Sequence, residues 1–599
     1  MVACWAGIAQ ACDILDDQGA VLKIDRRAFI AAGTAGVLAP GMALAAEAGS
    51  PILSALSAFV PDYLAARNAP GLILGMADAR GWSETARFGV ADLEAGRPIG
   101  ASERFHIGSI SKSFAALMIM QLVEEGKVRL DADITSYLPG LPLKTPFGPV
   151  TIHHLLCHAS GLPESASAAG WPDRTIEQTW APGSRYYYSN LAYEWLGRVV
   201  AVRGGEPWSV ALRRRILDPL GMTETSALIG AGMRHLEVPS YARREDDRPY
   251  PRMGALTRAA PLSFHAASGC IASTASDMNR YIMMMVRRGQ GPNGRLLSAE
   301  NFALMTKQHI KTGGPDSKSG YGYAWMTDMI DGKPVIRHTG GMESFMSSIH
   351  IDLDAGFGAF ASINAQQNYR PVPVTAFATK LYRAAATKGA VPKAPVVDPD
   401  ADLVPADYVG DYSHADGRRI TVTASGKRLS FSVDGKVHAL ESLGDDKFVC
   451  RDPAWRLFTF LFTRAKRASE VAKGKANPVL ALSWARDSYL RPGATMPALA
   501  EGDKVALTPE QLRSYEGYYA VGRGWTTSVR VVVRGGRLWV DSFDGIAPLA
   551  SLGSDRFRPA DEPAIPDTVA FSADTVQPRT VDASGTVLIR LGDPFFELA

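Results

Sequence analysis

Residues 104–130 read RFHIGSISKSFAALMIMQLVEEGKVRL. Phe114, Leu117, Met118, Ile119, Met120, Leu122 and Val123 cover most of a helical circumference, which predicts a buried helix ended by Gly126. A buried helix must aim its amino end somewhere, and this one begins with Ser109 and Lys112. Residues three apart share a helix face, so the hydroxyl and the amine stand side by side where free N–H groups and the helix dipole favour negative charge. A desolvated lysine there can take a serine's proton, and the N–H groups can hold an oxyanion. Alone, Ser-x-x-Lys is common by chance and reads as a serine cap beside a solvated lysine.

Composition bounds the setting. A chain of 599 residues is too long for one core and should divide into roughly three or four domains. It is 46% hydrophobic and 21% charged with a net charge of +3, an ordinary globular balance. The 64 basic residues are interspersed with 61 acidic ones and form no cluster interleaved with aromatics, so nucleic acid is not an expected partner.

At the amino terminus, KIDRRAFIAAGTAGVLAPGMALAAEA sets Arg26 and Arg27 before a weakly apolar, Gly-rich run that closes on Ala43-Leu44-Ala45. This reads as a twin-arginine export signal cleaved near Ala45, with a periplasmic or secreted mature protein. The run is broken by glycines and Pro40 and is too short for a stable membrane span. Cys4 and Cys12 precede the cleavage point; Cys157, Cys270 and Cys450 are isolated in apolar contexts and read as core residues, not a disulfide framework.

Helical and strand patterns alternate up to about Thr387, and a Pro-rich linker, KGAVPKAPVVDPDADLVP, follows. The remainder repeats itself. YVGDY at Tyr408 returns as YEGYY at Tyr515, RLSFSV at Arg428 as RLWVDS at Arg537, and LGDDKF at Leu443 as LGSDRF at Leu552. Short alternating strands between Gly and Asp turns suggest two small antiparallel barrels. The expected boundaries are a signal region 1–45, a first domain 46–388, a linker 389–402, and barrels 403–495 and 507–599.

Two further stretches bear on Ser109. In APGSRYYYSNLAYEWLGRVVAVRGG, Tyr188 and Asn190 stand at the mouth of a helix whose Leu191, Trp195, Leu196, Val199 and Val200 follow the helical period. In PVIRHTGGMESFMSSIHIDLDAGFGAFASIN, a strand is expected to end at His338-Thr339-Gly340-Gly341, with a hairpin across Asp354-Ala355-Gly356. Glycines at a strand end let a substrate carbonyl approach the backbone.

Taken in order, Ser-x-x-Lys, Tyr-x-Asn and His-Thr-Gly resemble the three active-site elements of the penicillin-recognising serine hydrolases, which include class C β-lactamases, DD-peptidases, D-aminopeptidases and esterases. TIHHLLCHASGLP, LDPLGMTET and GYGYAW also look like that family. The resemblance implies an α/β (α+β) β-lactamase/transpeptidase-like domain, an antiparallel sheet flanked by helices, followed by two all-β lipocalin-like barrels in the D-aminopeptidase arrangement. It implies Ser109 as the acylated nucleophile, Lys112 or Tyr188 as its base, Asn190, His338, Thr339 and Gly340 as substrate-binding residues, and the N–H groups of Ser109 and Gly341 as the oxyanion hole.

No cofactor or metal is implied. His154 and His158 are four apart, but no zinc-protease acid accompanies them. The run Met283-Met284-Met285 with Tyr281 and Ile282 reads as helix core. No Gly-x-Ser-x-Gly elbow is present, so an α/β-hydrolase lacks its nucleophile.

One departure matters for substrate. Penicillin-binding members usually carry Lys-Thr-Gly, whose cation attracts a carboxylate; here the position is His338, which favours substrates without one. Arg337, the nearest cation in sequence, is aimed at the opposite sheet face by strand alternation. The expected activity is hydrolysis of D-amino-acid peptides, amides or esters, small molecules or short peptides, through an acyl-enzyme. The alternatives are a β-lactamase or DD-carboxypeptidase, and a penicillin sensor that deacylates slowly. A homodimer is one arrangement the resemblance allows. The barrels are expected to supply no catalytic groups, because the three motifs are complete before the linker; the D-aminopeptidase resemblance implies that they cover the cleft and restrict long substrates.

Overall fold

The computed structural model describes residues 49–164, 175–313, 317–366, 370–466, 477–498, 505–521, 528–543, 545–553, 555–560, 566–572 and 585–595. The expected signal region, with Arg26, Arg27, Cys4 and Cys12, lies outside them. Among the described residues no helix is long and apolar enough to cross a membrane.

The first domain is built on a nine-stranded antiparallel sheet. Its order runs from Ile310–Lys311 through Gly320–Tyr321, Met326–Ile330, Lys333–Met342, Phe345–Asp352 and Phe357–Ile363 to Gly71–Asp78, Ser83–Asp92 and Arg97–Pro98. The amino-terminal hairpin thus completes a sheet begun by distant strands, Leu72 pairing with Ile363. Gly71–Asp78 is buried along its whole length, as an apolar strand covered on both faces must be. Helices Pro51–Ala66 and Val372–Thr387 cover one face, Phe59 meeting Phe377 edge-on at 5.4 Å. The other face packs on Ala275–Val286 and Ser111–Glu124, which carry the larger core. Tyr281, Ile282, Met284 and Met285 are buried there, and Cys157, Cys270 and Cys450 are buried free thiols.

The strand expected to end at His338–Gly341 runs on to Met342, and its hairpin partner begins at Phe345, so the turn falls at Glu343-Ser344. The Asp354–Gly356 turn joins the next pair.

The carboxy-terminal part forms two barrels. The first closes eight strands between Gly410–Ser413 and Asp487–Leu490, through Ser413 and Leu490. The second closes seven strands between Gly517–Val521 and Gly585–Gly592, and departs from the antiparallel expectation in one pair: Thr568–Ser572 runs parallel to Gly585–Gly592. Parallel neighbours cannot be joined by a tight hairpin, and these two stand well apart in sequence.

The sequence repeat has a structural counterpart. The Tyr412 hydroxyl donates to the Tyr408 carbonyl and the Tyr519 hydroxyl to the Tyr515 carbonyl, both at 2.7 Å. Tyr408 donates to Asp446, and Tyr515 likewise to Asp555. The barrels are fastened together where the Thr459 amide and hydroxyl both donate to buried Asp541. The second barrel is fastened to the first domain by Arg530, whose Nη2 lies 2.9 Å from Asp247.

Candidate active site

Ser109 lies in a single 3₁₀ turn, Gly108–Ile110, that feeds the helix Ser111–Glu124. The turn sits directly on the strand Lys333–Met342. Gly108 has φ +53°, and a Cβ there would stand 2.7 Å from the Gly341 nitrogen. A Cβ on Gly340 would stand 1.9 Å from the Ile107 carbonyl oxygen, to which Ser347 Oγ donates at 2.8 Å. Gly340 therefore has no room for a side chain where turn and strand meet. Unlike His338, Thr339 and Gly341, it is not among the residues lining the cavity.

Lys112 is fully buried, and its Nζ lies 3.0 Å from Ser109 Oγ, 2.7 Å from Asn190 Oδ1 and 2.7 Å from the Ser268 carbonyl. The last two oxygens can only accept. An amine that gives them two N–H groups keeps its lone pair for the Ser109 proton. Burial pulls the Lys112 pKa down to about 7, so the neutral amine is accessible near neutrality. Tyr188 also hydrogen-bonds Ser109, its ring centroid 4.9 Å from Lys112 Nζ. Burial drives its pKa upward, which opposes a standing phenolate.

Tyr188 and Asn190 are placed as the spacing predicts. Ser189 caps the helix Asn190–Gly204 by accepting the Ala192 amide, so Asn190 is its first residue. Ser189 is itself held by His158, whose Nδ1 accepts its amide at 3.0 Å. The His158 ring is fully buried, with Tyr188, Tyr193 and Tyr321 at centroid distances of 4.4, 5.1 and 4.8 Å. His154 instead caps its own helix, pairing with Thr151. Among the described residues no cluster of three or more His, Cys, Asp or Glu side chains could hold a metal ion.

His338 is buried with both ring nitrogens engaged. Nδ1 lies 2.6 Å from the Thr339 carbonyl and Nε2 2.8 Å from the Tyr321 hydroxyl. A carbonyl only accepts, so Nδ1 carries the proton and Nε2 accepts from the phenol. Burial, then the charge of Lys112, pushes its pKa down to about 3. The imidazole is neutral.

A different cation lines the cavity. Arg337 pairs with Asp328 at 2.7 Å, as alternation requires, while Arg370, which sequence reasoning passed over, lines the cavity. Its Nη2 would be 3.2 Å from a Cβ on Gly341. Desolvation lowers its pKa, against the opposing pull of Tyr188 and Glu164. A lone arginine ahead of Pro371 at a helix start carries no spacing signal.

The cavity holding these groups measures about 700 Å³. Its walls are not confined to the first domain. The first barrel contributes Asp445, Lys447 and Thr459, and the second contributes Phe543 and Gly545. Lys447 Nζ would lie 3.6 Å from a Cβ on Gly545, so the two barrels meet at the roof.

The family described as Beta-lactamase matches residues 56–384. The chain is 30% identical over 315 residues to Penicillin-binding protein 4 of Amycolatopsis lactamdurans, covering 49% of this chain and 79% of that protein. It is 27% identical over 286 residues to the D-alanyl-D-alanine-carboxypeptidase/endopeptidase AmpH of Escherichia coli K12, covering 43% of this chain and 70% of that protein. The octameric penicillin-binding protein homologue of Pyrococcus abyssi shares the fold with a TM-score of 0.51 at 23% identity, over 73% of this chain and all of that one.

Proposed function

Because the chain belongs to the beta-lactamase family, we propose that this serine hydrolase is exported and cleaves D-amino-acid-containing peptides, amides or esters through an acyl-enzyme on Ser109. Lys112 takes the Ser109 proton as Oγ attacks the substrate carbonyl, and the Ser109 and Gly341 N–H groups receive the oxyanion. Tyr188 relays the proton to the leaving group, Asn190 holds Lys112 and the substrate amide, and water releases the acyl group. The observation that carries this reading is the hydrogen-bond set of Lys112, with two acceptors and one hydroxyl, which suits a neutral base.

Arg370 favours a second reading of the substrate, a β-lactam or a peptide with a free carboxy terminus, because a guanidinium facing the cavity can pair with a carboxylate. The roof residues Lys447 and Phe543 support the restriction of substrate length by the barrels.

Purified protein challenged with D-aminoacyl amides, short-chain esters, a D-Ala-D-Ala peptide and a chromogenic cephalosporin separates these substrates. A serine-directed phosphonate should add its mass to the peptide containing Ser109 and to nothing in Ser109→Ala; labelling that survives the substitution overturns the assignment. Export is tested by changing Arg26 and Arg27 to lysine, which should strand the precursor inside the cell. A normally processed protein would count against that route.

A further inference from the structure

The second barrel reaches the edge of the catalytic cluster through one carboxylate. Asp567 Oδ2 accepts the Tyr187 hydroxyl at 2.5 Å and the Glu164 amide at 3.2 Å, contacts that span 380 and 403 positions of sequence. Tyr187 immediately precedes Tyr188. The Glu164 carbonyl accepts the Asn190 amide at 2.6 Å and the Leu191 amide at 3.2 Å, the first free N–H groups of that helix. Glu164 Oε1 also lies 3.5 Å from Asn190 Nδ2. Asp567 thus grips the stretch bearing Tyr188 and Asn190 from both sides, by a side chain before it and by the segment that caps it.

We propose that Asp567 is a positioning residue for this active site: acting through Tyr187 and Glu164, it holds Tyr188 and Asn190 in register with Ser109 and Lys112. The second barrel is then a working part of the hydrolase and not only its roof. The consequence runs through Asn190, whose Oδ1 is one of the two acceptors that leave the Lys112 lone pair facing Ser109. The Lys112–Asn190 bond is 2.7 Å long, and a hydrogen bond weakens steeply once its angle falls below about 120°, so a tilt of the Asn190 amide is enough to release the amine. Releasing Asp567 therefore disturbs the base before it disturbs substrate binding.

The proposal rests on the reading of Ser109 as the acylated residue, so two readouts are taken on the full chain. One is the rate and pH midpoint of Ser109 acylation by a small p-nitrophenyl ester. The other is amide hydrogen exchange of the segment 186–191, which needs no catalysis. Asp567→Ala and Tyr187→Phe should each slow acylation about ten- to a hundredfold, the range for a lost hydrogen bond to a charged group. KM for the small ester should change little, the pH midpoint should move, and exchange at 186–191 should quicken. The double variant should be no slower than the slower single one, because both act on one contact. Asp567→Asn, which keeps an acceptor for Tyr187, should restore most of the rate. Folded Asp567→Ala and Tyr187→Phe proteins with wild-type acylation, pH midpoint and exchange would overturn the proposal. Quickened exchange in a chain whose wild type is never acylated would sink the hydrolase reading and leave the positioning contact standing.

Discussion

Lys112 Nζ and Asn190 Oδ1 are 2.7 Å apart across two helix beginnings, one from the Ser-x-x-Lys segment and one from the Tyr-x-Asn segment. The pair joins two local motifs, and the amide oxygen dictates which way the amine's hydrogens point.

The first expectation concerns pH. With Lys112 near 7 and acting as the neutral base, the acylation rate should rise as pH increases through about 7 and level off above it. Stopped-flow acylation across this range measures it; a rate that falls instead would mean that the protonated amine is the working form. Lys112→Ala should slow acylation by about a hundred- to ten-thousand-fold with the fold retained.

Arg370 makes the second. Arg370→Met should lower kcat/KM for a cephalosporin or a D-Ala-D-Ala peptide by roughly ten- to a hundredfold, equivalent to about 1.5–3 kcal/mol, and barely touch neutral short-chain esters. Equal losses on both substrate types would remove Arg370 from carboxylate recognition. His338→Lys should not compensate, since it takes the acceptor from the Tyr321 phenol and sets a second cation near Lys112. That cation should instead move the pH midpoint below that of the wild type.

The roof yields the third. Phe543→Ala should raise the ratio of kcat/KM for longer D-peptides over that for short esters, measured with a length series. The ring is buried and also carries Arg243, whose guanidinium carbon lies 4.4 Å from its centroid, so a stability loss of about 3–5 kcal/mol should accompany the change. An unchanged length profile would mean that the barrels do not restrict access.

Adjacent glycines give the fourth. At Gly340 a Cβ would overlap the Ile107 carbonyl and Ser347 Oγ at 1.9 and 2.3 Å, whereas at Gly341 the nearest atoms are Arg370 Nη2 at 3.2 Å and Met346 Sδ at 3.5 Å. Gly340→Ala should therefore cost at least about 1–3 kcal/mol and displace the Ser109 turn, while Gly341→Ala should keep the melting temperature. Thermal denaturation of the two variants distinguishes them.

What the sequence disclosed was local. Ser109 with Lys112, and Tyr188 with Asn190, are near neighbours in the chain, and helical spacing alone sets each pair at a helix mouth. The barrels were legible because Tyr408 and Tyr515, or Asp446 and Asp555, recur in matching phrases. Arg370, Glu164 and Asp567 were invisible for the opposite reason. Each sits in an irregular segment and acquires meaning only from residues brought to it by tertiary packing, Asp567 from across some four hundred positions. The neutrality of His338 could be inferred from residue type, but its cause, a phenol on one nitrogen and a carbonyl on the other, could not.

The duplicated barrels face the cavity with different turns. The first offers Gly444–Lys447, whose Asp445 and Asp446 both have positive φ, and the second offers Ser542, Phe543 and Gly545. The first barrel's counterpart of the latter is the Asp434-Gly435 turn, also at positive φ, where a Cβ on Gly435 would meet no atom within 4 Å. Two copies of one module thus meet the cavity at non-equivalent hairpins, and the Asp434-Gly435 hairpin of the first does not line it. A fluorophore or a short affinity tag inserted at Asp434-Gly435 would therefore ride on the rigid wall of the hydrolase without entering its chamber, whereas the same insertion between Gly444 and Lys447 would plug it.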